Sequence, residues 1–178
     1  MRHAEALPTN SGSEWRHDRE RPPACRRRSD KEGGRKSQAH GPSRGGFTTK
    51  VQAEVWDRGR RVRYVLTGGE VNDVTQADRL LRGLRGRAVV GGRAYDSDAL
   101  LASIAAQDMA AVVPSRRNRK VQRPLDAEAY AQRYVIERLF GRLKAFRRVA
   151  TRYDRTASSY GAVVALASAL VVLSGWTA

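Results

Sequence analysis

Four side chains whose types can handle a phosphodiester lie close together in the 178-residue chain: Tyr130, Arg133, Glu137 and Lys144. The stretch around them, DAEAYAQRYVIERLFGRLKAFRRV, reads as one long helix. At about 100° per residue their spacing places all four within roughly 60° of one another. A carboxylate in that position can hold a divalent cation, and the two cations can meet a phosphate backbone beside it. The same spacing admits a plainer reading, a solvated face stabilised by an Arg133–Glu137 pair four residues apart. Val135, Ile136, Leu139, Phe140, Leu143 and Phe146 occupy the other side of the helix, and this arc predicts contact with a sheet.

Other elements must supply that sheet. FTTKVQAEVWD and RVRYVLTGG, joined by a turn at Arg58-Gly59, predict an antiparallel hairpin. NDVTQADRLLRGL predicts a helix capped by Asn72 or Asp73, with Leu80, Leu81 and Leu84 on its apolar stripe. RAVVGG predicts a short buried strand, SDALLASIAAQ a helix capped by Asp96 or Ser97, and MAAVVP a further strand closed by Pro114. A hairpin followed by strands alternating with helices makes an α/β domain, a mixed sheet covered by helices. Functional groups in such folds gather at strand ends and on the helices facing them. Arg116, Arg117, Arg119 and Lys120 form a basic loop after the last strand, for which DNA contact and simple solvation fit equally.

Composition narrows the partner. Thirty-four Lys and Arg against 18 Asp and Glu give a net charge of +16, which points to a polyanion, nucleic acid first. Only five of these cations are lysine, so a GC-rich coding bias toward arginine contributes. Cys25 is the sole cysteine, which excludes a disulfide framework and any zinc site with two thiolates. His3, His17 and His40 lack ligand spacing, and MRHAEALPTN lacks the apolar run of a signal peptide, so a cytoplasmic protein is expected. Residues 1–42 are polar, basic and almost without large aliphatics, and this composition predicts disorder. Residues 43–178 carry the folded domain. Within them Tyr160–Trp176 is uncharged over about 17 residues, the one feature favouring a membrane-surface protein instead.

GPSRGGFTTKVQA, VLTGGEVNDVTQA, RAYDSDAL, VVPSRRNRK and YAQRYVIERLFGRLKAFRRVATRYDRTASSY together resemble the DDE-class transposases of bacterial insertion sequences, in the insertion-sequence-five group. The Y-x2-R-x3-E-x6-K signature of that family is met by Tyr130, Arg133, Glu137 and Lys144. The resemblance implies a ribonuclease-H-like mixed sheet flanked by helices. It also implies an active site of two Asp and one Glu holding two Mg2+ or Mn2+ ions for phosphodiester cleavage and strand transfer. Element ends and target DNA are the implied partners, a homodimer is admitted, and no membrane or small-molecule substrate is implied. The implied setting is the bacterial cytoplasm and its nucleoid.

Residue by residue, Glu137 matches the catalytic Glu and metal ligand, and Tyr130, Arg133 and Lys144 match DNA-positioning residues. The second Asp should close the strand before RAYDSDAL, in a V-x-A-D-[KR]-[AG]-Y-D pattern. Gly92 stands there, within Val89-Val90-Gly91-Gly92-Arg93-Ala94-Tyr95-Asp96. Asp96 and Asp98 match acids the family has in addition, and N-capping is their simplest role. For the first Asp the sequence offers Asp18, which no apolar strand precedes. The expectation is a partial domain that lacks its first strand, truncated and catalytically defective. A non-catalytic DNA-binding remnant is the alternative.

Overall fold

The computed structural model describes residues 5–6, 14–16, 37–43, 46–56 and 60–175. In chain order its strands are β1 (Glu5–Ala6), β2 (Glu14–Arg16), β3 (Gly41–Ser43), β4 (Gly46–Trp56), β5 (Arg61–Gly68), β6 (Ala88–Val90) and β7 (Ala110–Val112). The helices are α1 (Val74–Leu81), α2 (Asp98–Ala105), α3 (Ala127–Ala131), α4 (Tyr134–Ala145), α5 (Arg147–Ala150) and α6 (Ala157–Leu173).

β4 organises the sheet. Its β-branched and aromatic residues favour an extended backbone, and it pairs antiparallel with β5 from Trp56↔Arg61 to Thr49↔Gly68. The hairpin is as expected, although the turn residues 57–59 lie outside the described residues. β3 pairs antiparallel with the start of β4, Gly41 opposite Thr48. β2 pairs with β4 antiparallel, Trp15 opposite Thr49, and β1 does so at Ala6↔Val55. β1 also runs parallel to β6, and β6 parallel to β7. The result is a mixed sheet.

A short strand from the N-terminal segment, β1, thus lies between β4 and β6, where composition predicted only disorder. The difference has a simple cause. Two strand edges present rows of N–H and C=O groups that any extended backbone can satisfy, whatever its side chains. Glu5-Ala6 and Glu14-Trp15-Arg16 show no apolar periodicity, so side-chain pattern could not announce them. Most of segment 1–42 lies outside the described residues, Asp18 included.

Helices cover both faces of the sheet. Alternate residues Val51, Ala53 and Val55 of β4 pack with Ile136, Leu139, Phe140 and Leu143 of α4, Val149 of α5, and Tyr160, Val164, Ala167 and Val171 of α6. Against the opposite face a second cluster joins Ala77 and Leu81 of α1, Val89 of β6 and Leu100 and Ile104 of α2, with Trp56 beside it. No described helix is long and apolar enough to cross a membrane. α6, the source of the membrane reading, instead buries one side in the first cluster. Its N-terminus is closed by Thr156, which accepts from Ser159 N at 3.1 Å, and by Gln38 Oε1, which accepts from Ala157 N at 2.8 Å.

The expected single long helix is three helices. After α3 the chain tightens, with Gln132 N bonding Ala129 O and Arg133 N bonding Tyr130 O, before α4 resumes. At Phe146 the backbone is extended, with φ −81° and ψ 106°, and this turns α5 so that Val149 enters the core. A 3.6-residue pattern survives both interruptions, and periodicity alone cannot reveal them.

Candidate active site

The helical half of the site is built on α3 and α4. Asp126 caps α3 by accepting from Ala129 N at 3.0 Å. Ala129 and Tyr130 then pack against Ala88, Val90 and Val112, at β6 and β7. This contact brings the phenol of Tyr130 over the strand ends. Arg133 Nη1 donates to Tyr130 Oη at 3.1 Å, and its guanidinium lies 5.6 Å from the Tyr130 ring centroid. Arg133 Nη2 donates to Glu137 Oε1. Partial burial works against the Arg133 charge, but the bonds to Glu137 and Tyr130 outweigh it and its pKa is raised. Glu137 itself is exposed, as is Lys144 two turns further along α4.

The strand half meets this group at Gly92. β6 ends at Val90, and Gly91 N donates to Val112 O at 3.1 Å, so Gly92 emerges beside the end of β7. Its φ of −78° is ordinary for any residue. A Cβ placed there would lie 3.5 Å from Arg133 Nη1, a normal contact. Among the described residues nothing requires glycine at this position, and an aspartate would fit and face Arg133. Gly92, Arg93, Ala94, Pro114, Leu125, Tyr130 and Arg133 line a cavity of about 400 Å³. The structure thus gathers Gly92, Tyr130, Arg133 and Glu137, sets Lys144 on the same helix further out, and does not describe Asp18.

A neighbouring cluster was not foreseen. Asp96 does not cap α2; Ser97 holds the cap position and makes no side-chain bond there. The Asp96 carboxylate is buried instead, accepting from Arg116 N at 2.7 Å, Arg119 Nε at 3.1 Å and Arg123 Nη2 at 2.6 Å. Burial pushes its pKa up, but the Arg116 amide and the two guanidiniums prevail and hold it below the usual carboxylate range. Asp98 pairs with Arg119 at 2.6 Å. Arg116 also reaches the carbonyls of Arg93 and Ala94, at 3.3 and 3.0 Å. Two of the four basic loop residues therefore serve the fold, while Arg117 and Lys120 face solvent. The partners of Asp96 sit 20 to 27 positions away, too far for local pattern to show. Similarly, Asp73 holds the cap position of α1 without a side-chain bond there and is buried against Gln52 and Lys50, while Asn72 accepts from Val74 N at 3.3 Å.

These donors do not fit a two-metal centre. Glu137 is a single carboxylate paired with Arg133, Gly92 has no donor, and Asp96 is saturated by arginines. Among the described residues no group of three His, Cys, Asp or Glu side chains could hold a metal ion.

Against known families, residues 12–172 match the transposase DDE domain. The chain belongs to the DDE transposases. A Brucella ovis protein named "Putative transposase for insertion sequence element IS6501" is 37% identical over 129 residues, covering 71% of this chain and 99% of that protein. A Burkholderia cepacia protein named "Putative transposase for insertion sequence element IS402" is 32% identical over 125 residues, 64% of this chain and 57% of that protein. No solved structure matches the chain.

Proposed function

We propose that this DDE transposase binds DNA through Tyr130, Arg133 and Lys144 and is defective in strand cleavage. The observation that carries the reading is Gly92, which presents no carboxylate to a site whose one secure acid, Glu137, is paired with Arg133. The family uses divalent metal to clamp the attacking and leaving oxygens of the phosphodiester. Glu137 alone cannot replace the hydration that two such ions lose. The strand order β5-β4-β1-β6-β7, antiparallel on one side of β1 and parallel on the other, supports a ribonuclease-H-like domain. Membership of the insertion-sequence-five group, a homodimer and a nucleoid location belong to the same proposal.

The test uses supercoiled plasmid with Mn2+, and calorimetry for the metal itself. The unmodified chain should bind duplex DNA, with affinity falling steeply as salt rises because phosphate contacts release counterions. It should not nick. Gly92→Asp should raise Mn2+ affinity without restoring full cleavage. Robust nicking by the unmodified chain, lost in Glu137→Gln, would show that another acid fills the gap and would overturn the defective reading. Affinity indifferent to salt would remove the DNA-binding one.

A further inference from the structure

α4 carries a second solvent stripe, next to the line of Arg133, Glu137 and Lys144, that the site does not use. Tyr134, Arg138, Gly141 and Arg142 lie within roughly 100° of one another around the helix. All four are exposed, Tyr134 by 46%. Gly141 is the informative member. A glycine inside a helix weakens it relative to alanine, because it loses more backbone freedom on ordering. A Cβ at Gly141 would meet nothing within 4 Å among the described residues, and its backbone is helical, so neither packing nor conformation among them asks for glycine. The missing side chain leaves the helix backbone open to an approaching molecule. Close backbone approach by another molecule is one use of such a position.

The chemistry around Gly141 identifies that molecule. Arg138 and Arg142 stand on either side of it and make no ion pair with an acid among the described residues. Lys144 and Arg147 continue the positive charge toward α5, where Arg148 pairs with Asp154, and Glu137 is the only acid of α4. Tyr134 is the one large exposed apolar group of the stripe, too little for insertion into a lipid surface. We propose that this stripe seats the sugar–phosphate backbone of duplex DNA, with Gly141 as the notch that lets the backbone approach and Arg138 and Arg142 gripping phosphates beside it. Backbone contacts of this kind fix position and register and read no sequence. The inference rests on the DNA-binding reading and extends it, since the stripe gives a second line of contact beside Tyr130, Arg133 and Lys144.

Fluorescence anisotropy of the full chain with a labelled duplex of arbitrary sequence tests it. Gly141→Leu places a helix-favouring side chain in open space, so the fold should hold or gain thermal stability while affinity falls about tenfold or more. Gly141→Ala should raise the melting temperature with a smaller loss of affinity. The Arg138→Gln/Arg142→Gln double variant should reduce the slope of log affinity against log salt by about 2, one unit per phosphate contact. If the parent binds and all these variants bind equally with an unchanged slope, the stripe proposal is overturned and the DNA-binding reading stands. If the parent does not bind at low salt, both fall.

Discussion

Two ion-pair systems flank the cavity at Gly92, and they are built in opposite ways. On the strand side Asp96 is buried and held by a backbone amide and two guanidiniums, which tie the loop after β7 across the end of β6. On the helix side Arg133 and Glu137 form one pair, with Glu137 exposed. A buried charge that loses its partners remains costly, whereas an exposed pair is exchanged with water at little cost. The strand side is thus a brace, and the helix side keeps its charges available to a ligand. In this chain the brace is complete although Gly92 beside it carries no side chain.

The contrast is most directly broken at Asp96. Asp96→Ala should destabilise the fold by about 2–3 kcal/mol, since it leaves guanidiniums and the Arg116 amide without their acceptor. Urea denaturation measures this, and a loss no larger than that of a surface substitution would remove the brace. Because the folded pKa of Asp96 is lowered, its contribution is fully present above the unfolded value near 4. It should be lost as pH falls through the lowered folded value, and Asp96→Ala should flatten that acid limb. Gly92→Asp comes next, expected to change stability by less than about 1 kcal/mol because its Cβ makes only an ordinary contact with Arg133. A collapse of the fold in this variant would mean that glycine is structurally required there. Glu137→Gln should shift stability by only a few tenths of a kcal/mol, the scale of an exposed pair four residues apart on a helix. A loss like that of Asp96→Ala would place Glu137 in the brace instead.

What could be read from residues alone followed the physics of each element. Val51, Ala53 and Val55 alternate along β4, and Ile136, Leu139, Phe140 and Leu143 recur at helical spacing, so hairpin, buried helix face and α/β class were all visible. The convergence of Gly92 with Tyr130 and Arg133 was approachable only through resemblance, since no local rule brings residue 92 to a helix forty positions on. β1 and β2 pair through backbone groups and leave no side-chain trace. The breaks at Gln132 and Phe146 preserve the apolar period, and the Asp96 cluster joins residues whose pattern resembled an ordinary cap and a solvated basic loop. Each miss concerns an interaction that is long-range or carried by the main chain.

β4 pairs with β1, β2, β3 and β5, and its alternate residues serve different layers: Val51, Ala53 and Val55 face one core, while Gln52 meets Asp73 and Trp56 joins the other. A one-residue slip would send Lys50, Gln52 and Glu54 into an apolar layer and break register with every neighbour at once. In genetic terms, in-frame loss or gain of a single codon within positions 48–55 should be tolerated less than the same lesion in the exposed turn at 117–118. Surviving copies of the gene should carry their length changes away from this strand.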